Sequence, residues 1–226
     1  MHHQLQVWAD PAEAALRAAD YVAGRASEAV ADHGAFTLAV SGGGTPRGMF
    51  VALSRMDFPW SQTQIFQVDE RVAPSDDADR NLHQLQQALG DVPASLEAMP
   101  VELPDLEAAA DAYAARLPAH FDLVHLGLGP DGHAASLVPG DAVLAEHHRD
   151  VAVTAEPYQG RRRMTLTYPG LARARQLLWL VTGAEKRDAL TRLLEGDVGI
   201  PAGRVAAQAS LVIADRAAAP EQGVTA

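Results

Sequence analysis

The chain has 226 residues, 48% hydrophobic and 21% charged, with a formal net charge of −11 and no cysteine. That length suits one substantial core and a single α/β domain over 1–226, while the acidic balance argues against nucleic-acid binding, which needs a basic stripe. Disulfides and thiolate metal sites are excluded, no apolar run nears the roughly 20 residues of a membrane span, and Asp10, Glu13 and Asp20 interrupt any signal-peptide core, so a cytoplasmic enzyme is expected.

Asp10-Pro11 opens a helix in the N-cap and N1 order. Leu16, Ala19, Val22, Ala26 and Val30 mark its inward face, and Gly34 ends it. Phe36–Val40 reads as a short buried strand, followed by Ser41-Gly-Gly-Gly-Thr45-Pro46 and a second helix. Thr63–Val68 is another strand, running into Asp69-Glu70-Arg71; Asp79–Leu89 and Asp105–Leu117 have helical spacing. Strands follow at 121–126 and near Val151–Thr154, then strand Leu177–Thr182, helix Ala184–Leu194 and a last strand near Leu211–Ala214. This alternation predicts an α/β fold, a mostly parallel sheet flanked by helices on both faces. It leaves the strand order open.

A parallel sheet gathers the loops that follow its strands at one edge, where open α/β folds bind ligands. With the overall field screened beyond about 8 Å at physiological salt, a bound anion needs local donors. Ser41, Gly42, Gly43, Gly44 and Thr45 supply them: the glycines allow close backbone approach, and the following helix start favours phosphate. The competing reading is a tight strand–helix turn. Asp69-Glu70-Arg71 is either a solvated strand end or a place where Arg71 offers its fork of donors to an oxyanion.

Asp131-Gly132-His133 is the strongest signal. A histidine titrates near neutral pH, and a carboxylate two residues earlier can fix its tautomer and orient its ring. The bland alternative is a turn followed by a surface histidine. His125, inside the preceding strand, is expected to be packed or satisfied; His2, His3, His147 and His148 lie in polar, exposed stretches without metal-ligand spacing, so no metal is expected. Lys186 is the single lysine beside seventeen arginines. In the first turn of a helix it opposes the dipole, which points to a specific task near an anion.

Gly127-Leu-Gly129-Pro-Asp-Gly132 also fits a dinucleotide fingerprint, with Glu156 about twenty residues on. Pro139-Gly140 leaves little room for the helix such a site needs, and the aspartate and histidine go unused. Ala39-Val-Ser41-Gly-Gly43 resembles a degenerate nucleophile elbow, but only one helix and one strand are predicted before it.

Taken in order, residues 41–46, 69–71, 127–140, 163–167 and 183–186 resemble the 6-phosphogluconolactonase family, related in fold to glucosamine-6-phosphate deaminases and isomerases. The resemblance covers most of the chain. It implies hydrolysis of 6-phospho-D-glucono-1,5-lactone, with Ser41–Thr45 and Lys186 on the phosphate, His133 as general base beside Asp131, and Arg71, joined by Arg163, contacting the lactone or its developing charge. Asp69 and Asn81 join the implied substrate contacts. No cofactor is implied; the partner is the sugar-phosphate lactone, for a monomer or weak homo-oligomer without nucleic-acid or membrane partners. Arg80-Asn81 stands where the family usually has Ser-Asn, which leaves the role of that turn open. The deaminases carry a glutamate beside the loop's proline where this chain has Val138, which cannot transfer a proton. A sugar-phosphate sensor on the same fold would need the phosphate loop and Lys186 but not Asp131 and His133.

Overall fold

The computed structural model describes residues 2–220. In chain order the elements are β1 Gln4–Trp8, α1 Pro11–His33, β2 Phe36–Val40, α2 Gly44–Leu53, β3 Thr63–Gln67, β4 Asp69–Arg71, α3 Asn81–Leu89, β5 Ser95–Glu97, α4 Leu106–Ala114, β6 Leu123–Leu126, β7 Val151–Val153, β8 Arg163–Leu166, α5 Tyr168–Leu171, β9 Gln176–Val181, α6 Arg187–Leu194 and β10 Ala209–Asp215. The single-domain expectation over 1–226 includes Met1 and residues 221–226, which lie outside the described residues.

Local chemistry sets the boundaries. The Asp10 carboxylate accepts the Glu13 N–H at 2.9 Å, Pro11 takes the first helical position, and Gly34 at φ 85° closes α1. In β9, Leu177, Trp179 and Val181 enter one core while Leu178 and Leu180 enter the other. Alternation with both faces buried is why such strands read as continuous apolar runs. α1, α2 and α3 cover one face; α4, α6 and a small second sheet contribute to the other.

Seven strands form a fully parallel sheet in the order β1-β10-β9-β6-β2-β3-β5. The chain leaves β2 towards β3 on one side and leaves β6 towards β9 on the other. The crevice between β2 and β6 is therefore a topological switch point, the usual ligand position in such sheets. The α/β expectation with a mostly parallel sheet holds.

Several expectations need correction. Asp69-Glu70-Arg71 is not a solvated strand end: it forms β4, which pairs antiparallel with β8, and β8 pairs antiparallel with β7. The strand near Val151 thus belongs to this second, three-stranded sheet. Glu70 is fully buried because its carboxylate accepts the N–H groups of Arg71, Asn81 and Leu82 and the side chain of Gln67. Arg80 completes that arrangement from the interior, with Nε 3.1 Å from Glu70 and Nη1 2.6 Å from Glu102. The long cation in place of a small hydroxyl is thus an internal counter-charge. Leu16 is exposed, because the buried stripe of α1 runs through Ala14, Ala15, Ala18, Ala19, Val22, Ala26 and Ala29 instead. His3 is half-buried against Trp179 and bonded to Ser210. Two strands, not one, precede Ser41, since β1 was not anticipated.

Candidate active site

The carboxyl ends of β2, β6 and β9 open into one cavity of about 320 Å³. Its walls come from Ser41–Pro46, Gly127–Gly129, His133, Leu180–Thr182 and Lys186, with Asp69, Arg71, Asn81 and Arg163 from the β4 side. Loops far apart in sequence meet because the parallel strands end together. The loop ends are also tied: Ser41 N–H donates to the His125 carbonyl at 3.1 Å, and Gly127 N–H donates to Ser41 Oγ at 3.4 Å. Ser41 Oγ is therefore bonded to a backbone amide rather than poised against an imidazole, which removes the nucleophile-elbow geometry.

The glycines of the first loop have different tasks. Gly43, the residue before α2, sits at φ 102°, a conformation other residues rarely adopt. Gly42 faces Asn81 so closely that a Cβ would collide with the amide side chain. No side chain caps the start of α2, so its first N–H groups are directed to whatever enters the cavity, an arrangement suited to an anion. Lys186 also lines the cavity, at the junction of a 3-10 turn, Ala184–Lys186, with α6. The expected helix Ala184–Leu194 is thus two pieces, and the lysine occupies the bend.

Asn81 organises the loop from below. Its Nδ2 donates to the Asp69 carbonyl at 3.0 Å and carboxylate at 3.2 Å, and its Oδ1 accepts from Arg71 Nη1 at 2.7 Å. The same Arg71 nitrogen donates to the Asp79 carbonyl. Asp69 also accepts Ser136 Oγ at 2.6 Å, with Arg163 Nη1 3.9 Å away. Burial raises its carboxyl above the ordinary range in spite of these partners.

At the β6 end, His133 Nδ1 lies 2.6 Å from Asp131 Oδ1. An ionised carboxylate is acceptor-only, so Nδ1 is the nitrogen that carries a proton, and in the neutral ring the Nε2 lone pair is left to accept one. Partial burial alone would raise the Asp131 carboxyl, but the adjoining His133 and its ring and backbone donors outweigh it and hold it below its usual value. His133 lines the cavity; Asp131 stands behind it, off the wall.

The other residues expected at the site, Ser41–Thr45, Asp69, Arg71, Asn81, Arg163 and Lys186, all line this one cavity. Sequence reasoning missed Tyr158 and Gln159, which also line it. They lie in the turn Glu156-Pro-Tyr-Gln-Gly160, and its only advance signal is that turn chemistry just before the Arg163 strand. Ala135 (φ 50°) and Gln159 (φ 52°) are the two non-glycine residues with positive φ among the described residues, and both line the cavity. Such backbone strain concentrates at functional sites. His125 lies fully buried beneath, edge-on to Phe50; it is packed, as expected, but neither ring nitrogen has a hydrogen-bond partner. Among the described residues no group of three or more His, Cys, Asp or Glu side chains is placed to hold a metal ion, and no helix is long and apolar enough to cross a membrane.

Residues 9–213 match the profile of the glucosamine-6-phosphate isomerases/6-phosphogluconolactonase family. A 6-phosphogluconolactonase of Synechocystis is 38% identical, covering 77% of this chain and 78% of the relative. One from Mycobacterium tuberculosis is 34% identical over 97% of this chain and 98% of its own length. The crystal structure of a 6-phosphogluconolactonase from Shewanella baltica superposes with a TM-score of 0.86 at 26% identity, covering 95% of this chain and 98% of that one.

Proposed function

The chain belongs to the glucosamine-6-phosphate isomerase/6-phosphogluconolactonase family, and from that premise we infer that it hydrolyses 6-phospho-D-glucono-1,5-lactone to 6-phosphogluconate, the second step of the oxidative pentose phosphate pathway. One observation carries the reading: an Asp131–His133 pair with a free Nε2 shares a cavity with an uncapped, glycine-rich helix start and Lys186.

In this mechanism the substrate phosphate sits on the N–H groups of Ser41–Thr45 and against Lys186. That anchor brings the C1 carbonyl to His133 and turns encounter into orientation. His133 Nε2 takes a proton from water as the water oxygen bonds to C1. Asp131 holds the ring and stabilises the imidazolium that forms. The carbonyl oxygen becomes an oxyanion, met by Arg71, Arg163 or a loop N–H. When the intermediate collapses, the bond from C1 to the ring oxygen breaks, and His133 returns its proton to that oxygen as the C5 hydroxyl forms. No metal or cofactor enters these steps.

The family's other activity opens an amino-sugar ring, and the deaminase glutamate has no counterpart here: Val138 stands in its place, with 9% of its surface exposed. The test is acid release from freshly prepared lactone, corrected for spontaneous opening, with ammonia release from glucosamine 6-phosphate as the control. Catalysed acid release supports the lactonase; ammonia release alone overturns it. We take the protein to work as one domain in the cytoplasm, as a monomer or weak homo-oligomer, with the sugar-phosphate lactone and no nucleic acid as partner.

A further inference from the structure

Tyr158 is attached to both halves of the dyad. Its hydroxyl donates to Asp131 Oδ2 at 3.4 Å, the carboxylate oxygen that His133 does not use, and lies 3.5 Å from His133 Nδ1. Its ring stands edge-on to the imidazole, centroids 5.2 Å apart and planes at 66°. On the other side the Arg163 guanidinium lies 5.5 Å from the ring centroid, and Arg163 is itself almost fully buried. The phenol therefore bridges a fixed interior cation and a loop pair whose carboxylate is exposed.

The turn carrying Tyr158 is held as well. Tyr158 and Arg161 exchange backbone hydrogen bonds at 2.9 and 3.3 Å, and Arg161 pairs with Asp77 at 2.5 Å. Burial, followed by the Asp131 charge, raises the phenol above its usual range, so the hydroxyl keeps its proton and stays a donor.

We propose that Tyr158 is a positioning residue for the hydrolysis: it occupies the second carboxylate oxygen of Asp131 and buttresses the imidazole edge, keeping His133 in the tautomer with Nε2 unprotonated and in one ring orientation. A carboxylate half free in solvent can rotate and present either oxygen, or water, to the imidazole. With Oδ2 taken by the phenol, Oδ1 is the oxygen left for Nδ1. This rests on the lactonase reading above for its effect on turnover, but not for its effect on the ring.

Tyr158→Phe and Tyr158→Ala separate the two contributions. Phe keeps the ring edge and the Arg163 contact while deleting the donor. Losing one hydrogen bond as long as 3.4 Å, of ordinary rather than charge-assisted strength, should lower kcat about two- to tenfold with KM within about twofold. Tyr158→Ala should fall further, with Phe restoring part of the loss. The ring nitrogen-15 shifts of His133 should report a single Nδ1–H tautomer in the parent protein and a mixture in Tyr158→Phe. Parent-like kcat together with parent-like ring shifts in Tyr158→Phe overturns the proposal. So does a loss confined to KM, which would make the phenol a substrate contact. If the parent opens no lactone, the activity reading fails, and the ring shifts alone decide the role of Tyr158.

Discussion

Gly129 lies so close to His133 that a Cβ built on it would collide with imidazole Nδ1 and Cε1 and press on Asp131 Oδ1. The backbone after β6 thus forms a wall against which the dyad rests. The 2.9 Å bond from Gly129 N–H to the His133 carbonyl keeps that wall in place.

Gly129→Ala should therefore displace the imidazole while leaving the sheet intact. A shift of about 1 Å at a reacting group can cost on the order of 10²-fold, so kcat should fall at least tenfold with little change in the midpoint of thermal unfolding. Steady-state kinetics beside a melting curve checks this, and parent-like kcat would refute the packing.

Lys186→Ala removes a cation that has no ion pair among the described residues and faces the cavity. A charge-assisted hydrogen bond contributes about 1.5–3 kcal/mol, so KM should rise roughly 10- to 100-fold while kcat changes little. The inhibition constant of inorganic phosphate should rise in parallel. A fall confined to kcat would place the lysine at the reacting carbonyl instead.

Asn81→Ala tests the support beneath the first loop. It removes the amide that packs on Gly42, leaves Arg71 Nη1 with only the Asp79 carbonyl as partner among the described residues and takes one donor from buried Asp69. Both KM and kcat should suffer, and unfolding free energy should drop by about 1–3 kcal/mol from the polar groups left unpartnered. Denaturant titration with paired kinetics separates this from Lys186→Ala, where stability should not change.

Much of this arrangement is legible in the sequence because the parallel strands are buried on both faces. Runs such as Leu177–Val181 and the loops directly after them need no tertiary knowledge. The second sheet was hidden for the opposite reason. Glu70 and Arg163 look like surface residues until their partners are known, and those partners come from distant segments. Strand β1 is an edge strand with Gln4–Val7 exposed, and its Gln-Leu-Gln-Val sequence lacks the continuous apolar run that marks the central strands. Tyr158 sits on a turn without periodicity, and only the three-dimensional approach of 155–162 to Asp131 gives it meaning.

Acid stability should carry the signature of His125. Burial lowers its imidazole to about 3, against 6.5 in an unfolded chain. Between those values the unfolded state takes up a proton that the folded state refuses. His125 thus has no adverse effect above about pH 6.5, and stability is lost as pH falls from there towards 3. Asp69, with its carboxyl raised by burial, acts in the opposite sense, so the comparison must be with His125→Leu. The unfolding free energy of the parent relative to that variant should fall by about 1.4 kcal/mol for each pH unit between 6 and 4. A pH-independent difference would show that the ring is not held neutral.

The central claim is that His133 Nε2 removes the proton from water beside a lactone whose phosphate is anchored at Ser41–Thr45 and Lys186. The most direct measurement is single-turnover lactone opening by His133→Asn, corrected for spontaneous hydrolysis, together with the affinity of that variant for 6-phosphogluconate. A positioned general base contributes about 10²–10⁴-fold, so the rate should fall by that factor while product affinity stays within about threefold. An undiminished rate, or a loss fully accounted for by weaker binding, would contradict the account.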